Sequence, residues 1–123
     1  MGKSTQAKAR DFSEKERKKI YERDGGCIFC QMGYHMEDIK GFGGTIFSVM
    51  HYIPKSKNGL GIAKNGAVGC QIHHDMMDNG RLGRRDEMLE LYADYMRQQY
   101  SDWDETELVY NKWAFLEGGK QCL

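Results

Sequence analysis

Two short half-sites constrain this chain more than any other feature. Cys27-Ile28-Phe29-Cys30 and Cys70-Gln71-Ile72-His73 each set two metal-binding side chains three positions apart with two residues between. A tight turn at that spacing brings both donors within bonding reach of one ion, about 2.3 Å from zinc to sulfur. Together they predict a closed site of Cys27, Cys30, Cys70 and His73 around a structural Zn2+, because four protein ligands leave no position for substrate or water. Cys27 and Cys30 alone also fit a thioredoxin-like redox pair. That reading needs a following helix inside a βαβ pattern, and Gln31-Met32-Gly33-Tyr34 carries no helix signal. For Cys70 and His73 the competing reading is simple burial. The remaining cysteine, Cys122, reads as an uninvolved thiol near the C-terminal end.

A metal staple suits a chain of this make-up. Its 123 residues are 40% hydrophobic and 29% charged, with a mean hydropathy of −0.72, so one domain with a modest core is expected. Four cysteines are too few for a disulfide scaffold. The sequence has no apolar run of about 18 residues, so no membrane span is expected. The first ten residues, MGKSTQAKAR, lack the apolar stretch of a secretory leader, and a reducing cytoplasmic setting, a bacterial host cell, is the expectation. Net charge is zero, yet Lys3, Lys8, Arg10, Lys15, Arg17, Lys18, Lys19 and Arg23 crowd the start while Asp102 to Glu107 is acidic. A neutral total can therefore hide a basic face, although both runs also read as ordinary solvated helix charges.

Along the chain, residues 1–12 read as a basic flexible arm. Ser13 with Glu16 forms a Ser-x-x-Glu capping box, and Gly25-Gly26 supplies a stop, which predicts a helix over 13–24. Its few apolar residues (Phe12, Ile20 and Tyr21) place it on the surface, with Arg17, Lys18 and Arg23 free. Gly41 to Gly44 reads as a flexible connector. Residues 45–50 read as a strand ending at His51, a basic turn over 55–59 returns the chain, and 65–69 read as a short second strand. A short helix then opens at Cys70 and ends at Asn79-Gly80. Over 84–100, Met88, Leu91, Tyr92, Tyr95, Met96 and Tyr100 recur at three- and four-residue steps, which predicts an amphipathic helix packed on the core. Asp102 is expected to cap a last helix over 105–113 that presents Leu108, Val109 and Trp113.

His51-x-x-Pro54, Asn65 and the final His74 follow one another at about the spacing of the HNH (ββα-metal) nuclease family. Between residues 24 and 80 the chain resembles that family, and the zinc half-sites strengthen the likeness. The resemblance implies an α+β fold: a small ββα-metal (HNH, His-Me finger) core over about 45–80, stapled by zinc, inside a single domain over 13–123 with helical flanks, the C-terminal part over 84–116. It implies that His51 deprotonates water for attack on a phosphodiester, a task suited to a neutral imidazole. Asn65 would hold the hairpin loop so that His51 keeps its orientation, although Asn65-Gly66 is also a plain turn signal. His74 would bind a catalytic divalent ion (Mg2+, or another such as Mn2+ or Ni2+). Asp78, four residues on and on the same helix face, would join it or else bond the Asn79-Gly80 turn.

One position departs from the family. Most members carry Asp, Glu or His directly before the catalytic histidine as a metal ligand, and here that residue is Met50, a poor ligand for a hard cation. The expected activity is metal-dependent DNA endonuclease, leaving 5′-phosphate and 3′-hydroxyl ends. Lys55, Lys57, Arg81, Arg84 and Arg85 are the expected phosphate contacts. A lone small nuclease domain with helical flanks looks like HNH proteins of phages and prophages, linked to DNA packaging or host-DNA attack. Besides DNA, a second copy of the chain or a phage packaging protein is the expected partner. The competing reading is a non-catalytic, zinc-stabilised module that binds DNA or protein, with a redox or regulatory cysteine protein behind it.

Overall fold

Ser13 starts the first long helix by accepting a hydrogen bond from the Glu16 backbone N–H at 3.1 Å, satisfying one of the free donors of a helix start. In the computed structural model, which describes residues 5–80 and 83–110, this helix is α2 (Glu14–Asp24). It ends on Gly25 in the left-handed conformation at φ 69°, as a glycine stop should. It is preceded by α1 (Thr5–Arg10), so the described part of the expected flexible arm is a helical turn joined to the body. Gly61 N–H donates to the Ala9 carbonyl at 2.9 Å, and Phe12 is buried beside Ile20, Val49, Ala63 and Val68.

The short α3 (Ile28–Gln31) follows, then one-turn 3-10 segments at Met36–Asp38 and Gly41–Thr45. The glycine connector is thus wound rather than irregular. Strand β1 (Phe47–His51) pairs antiparallel with β2 (Gly66–Cys70), Phe47 opposite Cys70 and His51 opposite Gly66. Helix α4 (Gln71–Asp78) leaves the end of β2 directly, and α5 (Arg85–Gln99) packs against it. The chain is therefore a small α+β fold with strand, strand and helix in succession. Among the described residues, no helix is long and apolar enough to cross a membrane.

Alternation along the strands splits the apolar residues into two sets. Val49 and Val68, directly paired, face Phe12 and Ile20 of the N-terminal side. Met50 and Ala67, the next pair, face Cys27, Phe29, Met77, Met88, Tyr92 and Met96. Gly69 makes room for this second set, because a Cβ there would lie 2.4 Å from the Met50 sulfur. The stripe expected on α5 does pack into the core: Met88, Tyr92 and Met96 are fully buried, and the Tyr92 hydroxyl donates to the Met50 carbonyl at 2.8 Å.

Two expectations fail here for physical reasons. Helix α2 is not merely superficial. Arg23 lies across its end and donates to the carbonyls of Ala63 and Gly66, to the Tyr100 hydroxyl and to the neighbouring Asp24 carboxylate. Asp24 in turn accepts from the Val68 N–H at 2.8 Å and from the Tyr95 hydroxyl. A polar helix end is thereby buried because every charge on it finds a partner. The second failure is the last helix. Over its described part it is a 3-10 turn, Glu105–Leu108, capped by Asp104, whose carboxylate accepts from the Thr106 N–H. Asp102 instead pairs with Lys64 at 3.0 Å; Trp113 lies outside the described residues. This segment clamps the hairpin loop, with Leu60 N–H donating to the Leu108 carbonyl and Tyr110 N–H to that of Asn58, both at 2.7 Å.

Replacing Arg23 by leucine should cost about 3 kcal/mol in urea unfolding of the metal-loaded protein, since it strands the buried Asp24 charge. Lys18→Ala, on the exposed face of the same helix, should change stability by less than about 0.5 kcal/mol.

Candidate metal centre and adjoining cleft

Cys27 caps α3 and Cys70 caps α4, each sulfur accepting from the backbone N–H three residues on, Cys30 and His73 respectively, at 3.4 Å. The two half-sites are thus the same device, a cysteine at a helix start with the second ligand one turn in. They meet face to face. The His73 Nδ1 lies 3.4 Å from the Cys27 sulfur, 3.5 Å from that of Cys30 and 3.4 Å from that of Cys70, and the Cys30 and Cys70 sulfurs are 3.8 Å apart. A tetrahedron with bonds of about 2.3 Å to sulfur and about 2.0 Å to nitrogen has edges of about 3.8 Å between sulfurs and about 3.5 Å between sulfur and nitrogen. The cluster has those dimensions, and one ring nitrogen cannot satisfy three thiols by hydrogen bonds. Cys27, Cys30, Cys70 and His73 are positioned to bind a metal ion, and the donor set and edge lengths fit zinc.

The surroundings prepare these ligands. The His73 Nε2 lies 2.8 Å from the Tyr34 carbonyl. A carbonyl only accepts, so Nε2 carries the proton and the Nδ1 lone pair faces the sulfurs, the tautomer-fixing contact of many metal histidines. Burial pushes the Cys27 and Cys30 thiols up and His73 down; the Cys27 and Cys70 sulfurs add to the rise at Cys30, whereas at Cys27 hydrogen bonds to its sulfur oppose it. Thiolates packed this closely call for a cation among them. Sequence spacing alone could not have found the Tyr34 carbonyl, because its role depends on a backbone atom.

Beyond the metal centre, β1, the turn after it and the outer face of α4 enclose a cleft of about 460 Å3 lined by His51, Pro54, Lys55, Ser56, Lys57, His74, Asp78 and Arg85. His51, Lys55, Lys57, His74, Asp78 and Arg85 were all singled out from sequence, and the fold brings them to one place. Met50 is not there: it is fully buried in the core behind the strand. Arg84 is not there either, because its guanidinium is held by Asp38 at 2.7 Å. Arg81 lies outside the described residues.

Asn65 is fully buried beneath the cleft's basic loop. Its Nδ2 donates to the carbonyls of Ile53 (3.1 Å) and Leu60 (2.8 Å), and its Oδ1 accepts from Ile53 N–H at 2.8 Å. One amide thereby ties both ends of the loop that follows His51. The His51 Nε2 lies 2.8 Å from the Arg10 carbonyl, so Nε2 bears the proton and Nδ1 is the basic nitrogen. Burial holds the His51 pKa below the ordinary imidazole range; the contact with Arg10 and the charges of Asp78 and Asp11 oppose that shift, and Lys55 adds to it. The neutral ring is therefore favoured.

His74 sits between Ser48, whose hydroxyl is 2.6 Å from Nδ1, and Asp78, whose carboxylate is 2.8 Å from Nε2. With Nε2 protonated toward Asp78, the Ser48 hydroxyl donates to Nδ1. With a cation at Nε2 and Asp78, that hydroxyl can accept from Nδ1 instead. Ser48 went unremarked in the sequence, where a serine inside a strand carries no signal. Lys55 pairs with Asp11 at 2.6 Å, and Arg85 donates to the Met77 carbonyl at 2.7 Å. Comparison of the chain with protein families, with curated proteins and with solved structures found no match.

Elemental analysis of the purified protein should find one zinc per chain, lost in Cys30→Ala and Cys70→Ala and kept in Cys122→Ser. Prolonged chelation should unfold the chain, since in a small domain metal-binding energy is folding energy.

Proposed function

We propose that this chain is a metal-dependent DNA endonuclease of the HNH (ββα-metal) kind, with a zinc-held frame and His51 as general base. One observation carries the reading: His51, whose burial favours the uncharged ring, a His-Asp pair and three cationic side chains line the same solvent-open cleft. In this reading the scissile phosphate lies across the cleft near Lys55, Lys57 and Arg85, whose charges recognise a backbone and not a base sequence. His51 Nδ1 takes a proton from water as its oxygen attacks phosphorus. The bond from phosphorus to the 3′ oxygen breaks, and that oxygen leaves and takes a proton from solvent water, giving 5′-phosphate and 3′-hydroxyl ends. When bound at His74 and Asp78, a divalent ion such as Mg2+, Mn2+ or Ni2+ would neutralise charge on the phosphate and on the leaving oxygen. Asn65 acts through the loop, holding His51 in place. A phage or prophage setting, in DNA packaging or attack on host DNA, goes with the same resemblance, as does a second copy of the chain for cutting both strands.

A second reading, a non-catalytic zinc-stabilised module that binds DNA or protein, draws on Met50. The side chain that would be an acidic ligand in the family is sealed into the core, which leaves His74 and Asp78, besides the base His51, as the cleft's His and Asp side chains among the described residues.

Plasmid incubated with the protein and Mg2+, Mn2+ or Ni2+ should be nicked or linearised, with no product in EDTA or with His51→Ala. An inert wild-type protein that still carries zinc would favour the binding module. The rate should also report the His51 environment. Protonation removes the base, and its pKa is lowered, so activity should persist to a lower pH than a free imidazole of about 6.5 allows and fall only below that.

A further inference from the structure

The cleft is not built from the hairpin and α4 alone. The segment just before α2, residues 9–12, is wedged against the hairpin by contacts that converge on His51. The Arg10 carbonyl accepts a hydrogen bond from His51 Nε2–H at 2.8 Å. The Phe12 ring packs against the imidazole, 4.3 Å between centroids and tilted at 43°. Arg10 Nη1 donates to the Lys55 carbonyl at 3.1 Å, Asp11 pairs with the Lys55 ammonium, and Ala9 accepts from Gly61. The fit is close: a Cβ on Gly61 would lie 2.2 Å from the Asp11 carbonyl carbon and oxygen and 2.5 Å from the Phe12 nitrogen.

Resting on the nuclease reading of His51, we infer that residues 9–12 are the positioning element of the general base: the Arg10 carbonyl fixes the Nε2–H tautomer and Phe12 fixes the ring plane. The physical reason is that an imidazole acts as a base only through the nitrogen that lacks a proton. An unanchored ring would divide its population between two tautomers and several rotamers, only some of which offer a basic nitrogen to the water. The partner is a main-chain oxygen 41 residues upstream, so the orientation of His51 depends on whether the N-terminal segment is docked. A strand-end histidine would thus be tied to a part of the chain whose composition suggests a mere basic arm.

Two variants separate positioning from charge. Gly61→Ala keeps every basic residue but drives residues 11 and 12 off the hairpin, whereas deletion of residues 2–11 removes the carbonyl together with Lys3, Lys8 and Arg10. The readouts are the His51 tautomer by 15N NMR of the imidazole in the zinc-loaded protein, zinc content, and plasmid cleavage across DNA concentration. In the wild-type protein His51 should be a single Nε2–H tautomer. In both variants it should average between tautomers with zinc retained. In Gly61→Ala kcat should drop about tenfold or more with KM little changed, whereas the deletion should also raise KM. An Nδ1–H tautomer in the wild-type protein, or an Nε2–H tautomer that survives in both variants, overturns the inference. A wild-type protein that cleaves no DNA but loses its fixed tautomer in both variants would refute the nuclease reading while leaving the docking of residues 9–12 on His51 in force. Normal cleavage with a tautomer indifferent to both changes would do the reverse.

Discussion

Convergence of three sulfurs and one ring nitrogen on a common point is the constraint from which the rest of the structure follows. Cys27 and Cys30 belong to α3, and Cys70 and His73 to the junction of β2 with α4. An ion held there joins the first third of the chain to the strand–strand–helix unit, and so fixes the start of α4. Because His74 is the next residue on that helix, the rotation that sends His73 inward to the sulfurs sends its neighbour outward toward the cleft. A buried metal centre and an open cleft are two faces of one helical turn. A metal held there would act geometrically: a core as small as this one, with methionines at Met50, Met76, Met77, Met88 and Met96, would leave the helix poorly specified without it.

Around that centre, polar residues do work that hydrophobic packing does elsewhere. Asn65 spans the hairpin loop, Arg23 and Asp24 lock α2 to β2 and α5, and the turn over Glu105–Leu108 braces the loop from outside. Among the described residues, no buried side-chain nitrogen or oxygen lacks a partner. Such networks specify one arrangement strictly, because each member left unsatisfied would be costly. That rigidity suits the proposed nuclease site, whose chemistry would need a ring nitrogen held in place. It also explains how the basic loop can stay exposed and still keep its shape.

Much of this was legible in the sequence. The capping box at Ser13, the glycine stop at Gly25, the strand before His51, the return strand and the apolar stripe of α5 all rest on local signals, and a local signal is read without knowing the fold. The metal ligands were legible for a related reason: a tight turn and a helix start fix the distance between residues three apart whatever surrounds them. His51, Asn65 and His74 were picked out by a family resemblance rather than a local signal; the fold places His51 and His74 at one cleft with Asn65 beneath it.

The sequence by itself determined, then, which residues could bind a metal and which would lie on one hairpin and one helix. Only the tertiary structure decided what those residues face. Arg23 looks like a solvated helix charge until Ala63, Gly66 and Tyr100 close over it. Residues 9–12 look like part of an arm until Gly61 admits them beside His51. Arg84 reads as a phosphate contact until Asp38 takes it, and Ser48 and the Tyr34 carbonyl carry no mark at all. In each case the deciding partner lies dozens of residues away or is a main-chain atom. Local composition encodes how the backbone bends, whereas the pairing of a charge, a ring or a carbonyl depends on long-range packing that brings the two together.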